Sequence, residues 1–339
     1  MLSEDRKTHS SEGSVLDAIV AQLPSLPPVI RYYDDFNDKL CTINSPEHAR
    51  NFDISYGGKV VAIHFDRFPG AYGTLLKHVF LLLVGEDLSA STAAGHVLGA
   101  KHLSRDDVES MWRAGPTGIA FLWSALLARQ LPRDGCLCAK SILRLFCNYR
   151  LGGWSPTYAD FLSSSLPLPA IDKYAGIRSG EAFLPIGSQA SIVRYLDDMA
   201  TMASSPSQAE RLQYSDLCDA AMLLCAFQFG MRPVQIAMLS LADVRIRDIS
   251  ADELATVHLT FRMVKQRRAL TAKPLLRRVK REWSSLFIEL MRQANERKLR
   301  MVDRVFGVQS SNEAGRRIAD LLRGLIGSDK CPLRGTTWP

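Results

Sequence analysis

Apolar and polar positions along the chain change period several times, and each change marks an element. Ser14–Leu23 carries apolar residues at helical spacing and stops before Pro24 and the Pro27-Pro28 pair, which predicts a short helix. Phe52–Tyr56 and Lys59–Phe65 are strand-like runs on either side of Gly57-Gly58, a hairpin signal. From Gly73 to about Leu162 the period becomes helical. Ser89, Ser91 or Thr92 can cap one helix. Ser104 with Asp107 three residues on forms a capping-box-like start for Arg105–Arg113, and Gly115-Pro116 breaks that helix. Gly118–Arg129 and Ala139–Tyr149 supply two more apolar helices.

The Ser/Pro-rich stretch Ser163-Ser164-Ser165-Leu166-Pro167-Leu168-Pro169 then reads as a linker. The expected division is an N-terminal segment with a short helix and hairpin (1–72), a helical domain (73–162), a linker (163–175) and a second domain (176–339). In the second domain Ser188–Met202 and Ser215–Phe229 are helical, the latter strongly apolar, with Ser215 as its expected cap. Gly230 ends it, and Pro233 suits the first turn of another helix running to about Leu239. Thr256–Lys265 alternates, with Val257, Leu259, Phe261 and Met263 on one face and His258, Thr260 and Arg262 on the other: a half-buried strand. Helices over about Ser284–Arg300 and Asn312–Leu325 follow. The expected class is mainly α, with a helical domain preceding a mixed α+β domain that carries a small antiparallel sheet.

With 47% apolar and 23% charged residues, wholesale disorder is excluded. The longest apolar run, Ala220–Phe227, is far shorter than the ~20 residues a bilayer requires, so no membrane partner is expected. No signal-peptide pattern opens the sequence, and of the seven cysteines only Cys136 and Cys138 lie close, at a spacing that suits neither zinc nor a dithiol redox motif. Reduced thiols and a cytoplasmic location are the expectation, with no metal and no cofactor. Gly115-Pro116-Thr117-Gly118 lacks the Lys-Ser/Thr of a phosphate-binding loop, and His258 on its strand reads as a structural histidine. The aromatic cluster Tyr32-Tyr33 with Phe36 offers base stacking or, more commonly, core packing.

Charge changes the picture. The net +7 is uneven: Met231–Pro339 holds 22 Lys/Arg against 11 Asp/Glu, a net +11, whereas the remainder is −4. Within Arg262–Arg281 there are nine basic residues and no acid. A one-sign run of that length points to a polyanion, nucleic acid before membrane, with a merely solubilising patch as the bland alternative. Arg267, Arg268, Arg277, Arg278, Lys280 and Arg281 are the candidate phosphate contacts. An acidic protein partner is a further class, separable because binding through several phosphates weakens far more steeply with salt.

Two residues stand out for chemistry. Arg232 sits in Phe229-Gly230-Met231-Arg232-Pro233, a tight joint where a new helix offers unpaired N–H groups and a guanidinium adds a fork matching two phosphate oxygens. Its structural alternative is to cap the preceding helix's carbonyls or to pair with Asp243. Lys265 closes the amphipathic strand, where a lysine with a lowered pKa can hand a proton to a departing alkoxide; one more solvated basic residue is its alternative.

The stretch Ala220-Ala221-Met222-Leu223-Leu224, then Phe229-Gly230-Met231-Arg232-Pro233-Val234-Gln235-Ile236-Ala237-Met238-Leu239, then Ala242-Asp243-Val244, resembles the first conserved box of the tyrosine recombinases, the phage-integrase family. Lys265 follows Arg232 by 33 residues on a strand tip, as the family's hairpin lysine does. The resemblance extends over roughly residues 75–325. It implies a helical SAM-like core-binding domain that clamps DNA, then an integrase-type catalytic domain. It also implies strand exchange through a 3′-phosphotyrosyl intermediate without ATP or metal, and a tetramer on two duplexes. Arg232 would be the first phosphate clamp and Lys265 the general acid. Gln235 stands where many relatives have Glu, a change to side-chain support more than to chemistry.

The end of the chain departs from the pattern. The tail Cys331-Pro332-Leu333-Arg334-Gly335-Thr336-Thr337 is similar to the family's second box, with Cys331 at the histidine position and Arg334 at that of the second arginine; a frayed tail is the other reading. The last tyrosine is Tyr214 and the last histidine His258, both ahead of where the family's nucleophile and His-x-x-Arg belong. The expectation is a recombinase truncated before its nucleophile, or a non-catalytic DNA binder or regulator of the same fold.

Overall fold

The computed structural model describes residues 15–86, 88–170, 172, 175–180, 184–247, 255–262 and 274–327, which fall into two compact units dividing between Ile171 and Asp172. It is mainly helical with small antiparallel sheets. Among the described residues no helix is long and apolar enough to cross a membrane.

The first unit opens with helix α1 (Val15–Val20) and two hairpins, β1 (Val29–Asp34) with β2 (Lys39–Asn44) and β3 (Asn51–Tyr56) with β4 (Lys59–His64). Tyr56 faces Lys59 across a two-residue turn in which Gly57 and Gly58 both have positive φ, 60° and 78°. That is the mirror-image turn whose twist matches the strands. Helices α2 (Ala71–Gly85), α3 (Ala90–Leu98), α4 (Arg105–Ala128), α5 (Arg133–Asn148) and α6 (Ala159–Ser165) follow. Ser89 caps α3, and the Ser104–Asp107 capping box opens α4, whose course is interrupted at Gly115. Ile30, Phe52, Ile54 and Ile63 of the hairpins share one core with Leu75, Val79 and Phe80 of α2. Residues 15–72 are therefore packed with the helices. Tyr32 and Phe36 are buried in this unit, as packing requires, whereas Tyr33 is exposed.

Part of the expected linker is structural. Ser163–Ser165 finish α6, Leu162 and Leu166 are buried, and Pro167 and Pro169 offer carbonyls to Trp123 Nε1 (2.8 Å) and Arg133 Nη1 (3.0 Å). Polar composition suggested a free strand of chain, but leucines four apart supply a face that the core takes up.

Asp34 joins the hairpins. It is buried on the inward face of β1 and accepts from Ser55 Oγ (2.7 Å), Asn37 Nδ2 (2.7 Å) and the Phe36 N–H (3.1 Å). Burial pushes its carboxyl up, but these donors outweigh burial and hold it below the ordinary aspartate value.

The second unit contains α7 (Ile186–Ser204), α8 (Tyr214–Phe229), α9 (Pro233–Ala237), β5 (Val244–Arg247), β6 (Thr256–Phe261), β7 (Leu275–Arg278), α10 (Ser284–Glu296) and α11 (Ser311–Ile326). Helix α8 is buried on nearly every side from Leu217 to Ala226, so α7, α10 and α11 pack around it. The sheet is antiparallel in the order β5-β6-β7, with Val257, Leu259 and Phe261 of β6 fully buried and α10 packed against that strand.

Several element ends differ from expectation: β6 stops at Phe261 and α10 at Glu296, and two helix ends have a visible cause. Ser215 is not the cap of α8: the helix starts at Tyr214, whose hydroxyl is anchored on the Val305 carbonyl at 2.7 Å. Helix α9 stops at Ala237 instead of Leu239, because the Met238 carbonyl accepts from the Arg304 guanidinium and the Leu239 carbonyl from the Val305 N–H (2.9 Å). Tertiary partners there replace the helical ones.

Asp34→Ala strands the Ser55 and Phe36 donors and is expected to lower unfolding free energy by about 2–3 kcal/mol in denaturant titrations. Because the native carboxyl titrates below its unfolded value, this contribution is full above the unfolded value and is lost as pH falls through the folded one. The native chain should therefore show an acid-side loss that the variant lacks; a variant as stable as the native chain at neutral pH contradicts this role.

Candidate nucleic-acid interface

The side chains that face outward from β5-β6-β7 follow from register. Arg245 lies opposite His258, and His258 opposite Arg278; Arg247 lies opposite Thr256, and Leu276 opposite Thr260. Directly opposed residues share a face, so Arg245, Arg247, His258 and Arg278 stand together on the side away from Val257, Leu259 and Phe261. The three arginines are exposed, and none has a carboxylate within ion-pair distance among the described residues. Burial, then Arg247 and Arg278, pushes His258 below the ordinary histidine value.

Arg232 lies near one end of this sheet. Gly230 takes a left-handed conformation (φ 63°) and closes α8, its N–H and that of Met231 donating to the Ala226 (3.0 Å) and Cys225 (3.3 Å) carbonyls. Those carbonyls are therefore satisfied without the Arg232 side chain. Asp243 is occupied too, accepting from Ser240 N (2.9 Å) and Oγ (2.6 Å). Both structural alternatives for Arg232 fail, and the exposed guanidinium has no carboxylate partner among the described residues. The five-residue α9 adds little dipole, so whatever Arg232 binds it binds through its own fork.

Gln235 holds this joint. It is buried, its Oε1 accepts from the Arg232 N–H (3.1 Å), and its Nε2 donates to the Arg262 carbonyl (3.2 Å) just past β6. One amide thus ties the Arg232 backbone to the residue that follows β6. A carboxylate could accept from Arg232 but could not donate to Arg262. Arg304 belongs to the same neighbourhood: burial and the nearby Arg262 lower its pKa, with Asp243 opposing.

Of the other expected contacts, Arg277 and Arg278 separate. Adjacent on a strand, they point to opposite faces, Arg277 half-buried opposite Leu259 and Arg278 outward. The Lys280 ammonium lies over the Trp283 ring at 4.9 Å, and Arg281 is exposed at the start of the following turn. Lys265, Arg267, Arg268 and Arg334 lie outside the described residues. Arg245 and Arg247 were not singled out from the sequence, although Val244-Arg245-Ile246-Arg247 carries the period-two signal that places both arginines on one face.

The described tyrosines of this unit are poor nucleophiles. Tyr214 donates its proton to the Val305 carbonyl, and burial, then Cys218, pushes its phenol far above the ordinary value. Burial, then Asp219 and Asp216, pushes Tyr195 up to about 12.

Replacing Gln235 by Leu, nearly equal in size, leaves the Arg232 N–H and the Arg262 carbonyl unpaired. We expect a stability loss of about 1–3 kcal/mol by denaturant titration, and an unchanged midpoint and slope would show that the tie is dispensable.

No protein-family model matches this chain, and no curated protein matches it.

Proposed function

We propose that this chain binds duplex DNA as a protein of tyrosine-recombinase type, with a helical SAM-like clamp in the first unit and an integrase-type domain in the second. The observation that carries the reading is the outer face of β5-β6-β7, where Arg245, Arg247 and Arg278 stand together with no described carboxylate among them. Like charges gathered on one sheet face repel, and an array of phosphates relieves that repulsion. Arg232 is the phosphate clamp of this reading, Lys265 its general acid and Arg334 its second arginine. Arg267, Arg268, Lys280 and Arg281 join Arg278 as sequence-independent contacts, whereas Arg277, half-buried on the opposite face, does not. Duplex DNA is the partner, a tetramer on two duplexes the family's assembly, and the cytoplasm the expected location.

A second reading, a binder that does not cut, is favoured by Tyr214. Hydrolysing or transferring a phosphodiester calls for lowering a barrier by something near the top of the ~8–23 kcal/mol range. Arg232 and Lys265 offer charge stabilisation and a proton, but the described tyrosines of the second unit, Tyr195 and Tyr214, are held strongly protonated, Tyr214 on the Val305 carbonyl. The reading of this chain is therefore binding without cleavage.

Replacing Arg245, Arg247 and Arg278 together by Ala should weaken duplex binding and flatten the log Kd–log salt slope by about 0.9 per lost phosphate contact, measured by fluorescence anisotropy. An unchanged slope would move the DNA surface elsewhere. A slope near zero in the native chain would favour an acidic protein as partner.

A nicked suicide duplex incubated with the chain should give a gel shift and no band that survives denaturation. A covalent adduct that disappears on mutating a tyrosine of this chain overturns the binder reading.

A further inference from the structure

His258 is set apart from the other histidines by its surroundings. It is the sole histidine in residues 172–339, and it stands at the middle of the sheet between Arg245 on one neighbouring strand and Arg278 on the other. The two arginines are two strand spacings apart, roughly 10 Å, with the imidazole between them. Arg247 stands diagonally across from it, and its neighbours on its own strand face are Thr256 and Thr260. Among the described residues, the acids of the elements packed against β6 are engaged elsewhere. Glu289 of α10 is bound by Arg292 and Gln293, Glu296 by Arg292, and Asp243 before β5 by Ser240. The His258 Nδ1 is buried and has no hydrogen-bond partner among the described residues.

We propose that His258, held between Arg245 and Arg278, is a phosphate contact that takes up a proton from solvent as duplex DNA binds, so that the interface grips its ligand more tightly in acid than in base. The proposal rests on the DNA reading above and names the group that couples it to pH. As an imidazolium, His258 offers two N–H donors, and no described residue accepts from either. Burial, then Arg247 and Arg278 on its own face, disfavours that charge in the free protein. A phosphodiester oxygen at the outer face can accept from Nε2–H, not from the buried Nδ1, and its negative charge offsets the arginines.

The sign follows from linkage. In the free chain burial, then Arg247 and Arg278, holds His258 below the ordinary histidine value, so its neutral form is favoured. Bound phosphate raises its pKa, and the complex then carries more protons than the free protein. Affinity increases as pH falls through the interval between the bound and free values and is level on either side of it. A rise of about one pKa unit corresponds to about a tenfold gain.

The test is duplex binding by the full chain and by His258→Gln at fixed ionic strength, from about pH 8 to about pH 5.5. The native chain should gain about three- to tenfold in affinity, and the variant should lose most of that pH dependence. In parallel, the His258 ring resonance is titrated by NMR in the free chain, with duplex, and with inorganic pyrophosphate. An upward shift with either ligand supports the contact. Duplex binding with the His258 titration unmoved, or with the same pH dependence in the variant, overturns this inference and leaves the DNA reading standing. A pyrophosphate-induced shift without duplex binding overturns the DNA reading and leaves a phosphate site. No response to either ligand removes both.

Discussion

The second unit depends on where α8 is made to stop. From Ala220 to Ala226 the helix is buried and carries no charged group, its Asp216 and Asp219 lying in the first two turns, so the basic residue appears where the chain leaves the core. Gly230 supplies that exit. Its left-handed backbone lets its own N–H and that of Met231 reach the Ala226 and Cys225 carbonyls, after which the chain emerges with Arg232 exposed and Pro233 opening α9. A side chain at residue 230 would be strained in this conformation whatever the space around it. Gln235 then fixes the emerging backbone to the end of β6, which couples the exit of the core helix to the sheet.

The sheet turns that coupling into a charged surface. Antiparallel register places residues opposite one another without regard to their distance in sequence, and here it gathers Arg245, Arg247 and Arg278 around His258. The opposite face buries Val257, Leu259 and Phe261. A one-residue shift in register would exchange the two faces, so the apolar side fixes the register and the basic side follows from it. The local cost of collecting like charges is carried by the core beneath them.

Features governed by near neighbours were legible in the sequence. The Gly57-Gly58 turn, the Ser104–Asp107 capping box, the Gly230 stop with Pro233, and the alternation of β6 each depend on residues a few positions apart. Features governed by distant partners were not. The β1–β2 hairpin has a four-residue connection without a two-glycine signal, and its buried Asp34 makes sense only once Ser55 is alongside. Ser163–Pro169 looked like a linker because its leucines have no local partner, and Ser215 looked like a cap because the hold of Val305 on Tyr214 is 91 positions away. At the candidate interface Arg232 was legible from its joint, whereas Arg245, Arg247 and Arg304 needed the pairing of strands and of the 303–305 segment to come into view.

The central claim is that the outer face of β5-β6-β7 is where DNA lies. Arginine-specific modification of the full chain with phenylglyoxal, mapped by mass spectrometry with and without duplex, addresses it residue by residue. The account predicts protection of Arg232, Arg245, Arg247 and Arg278 by duplex. It predicts no change at Arg292 and Arg300, which are already paired with Glu289 and Asp303. Protection confined to arginines of the first unit, with these four modified equally in both states, would contradict it.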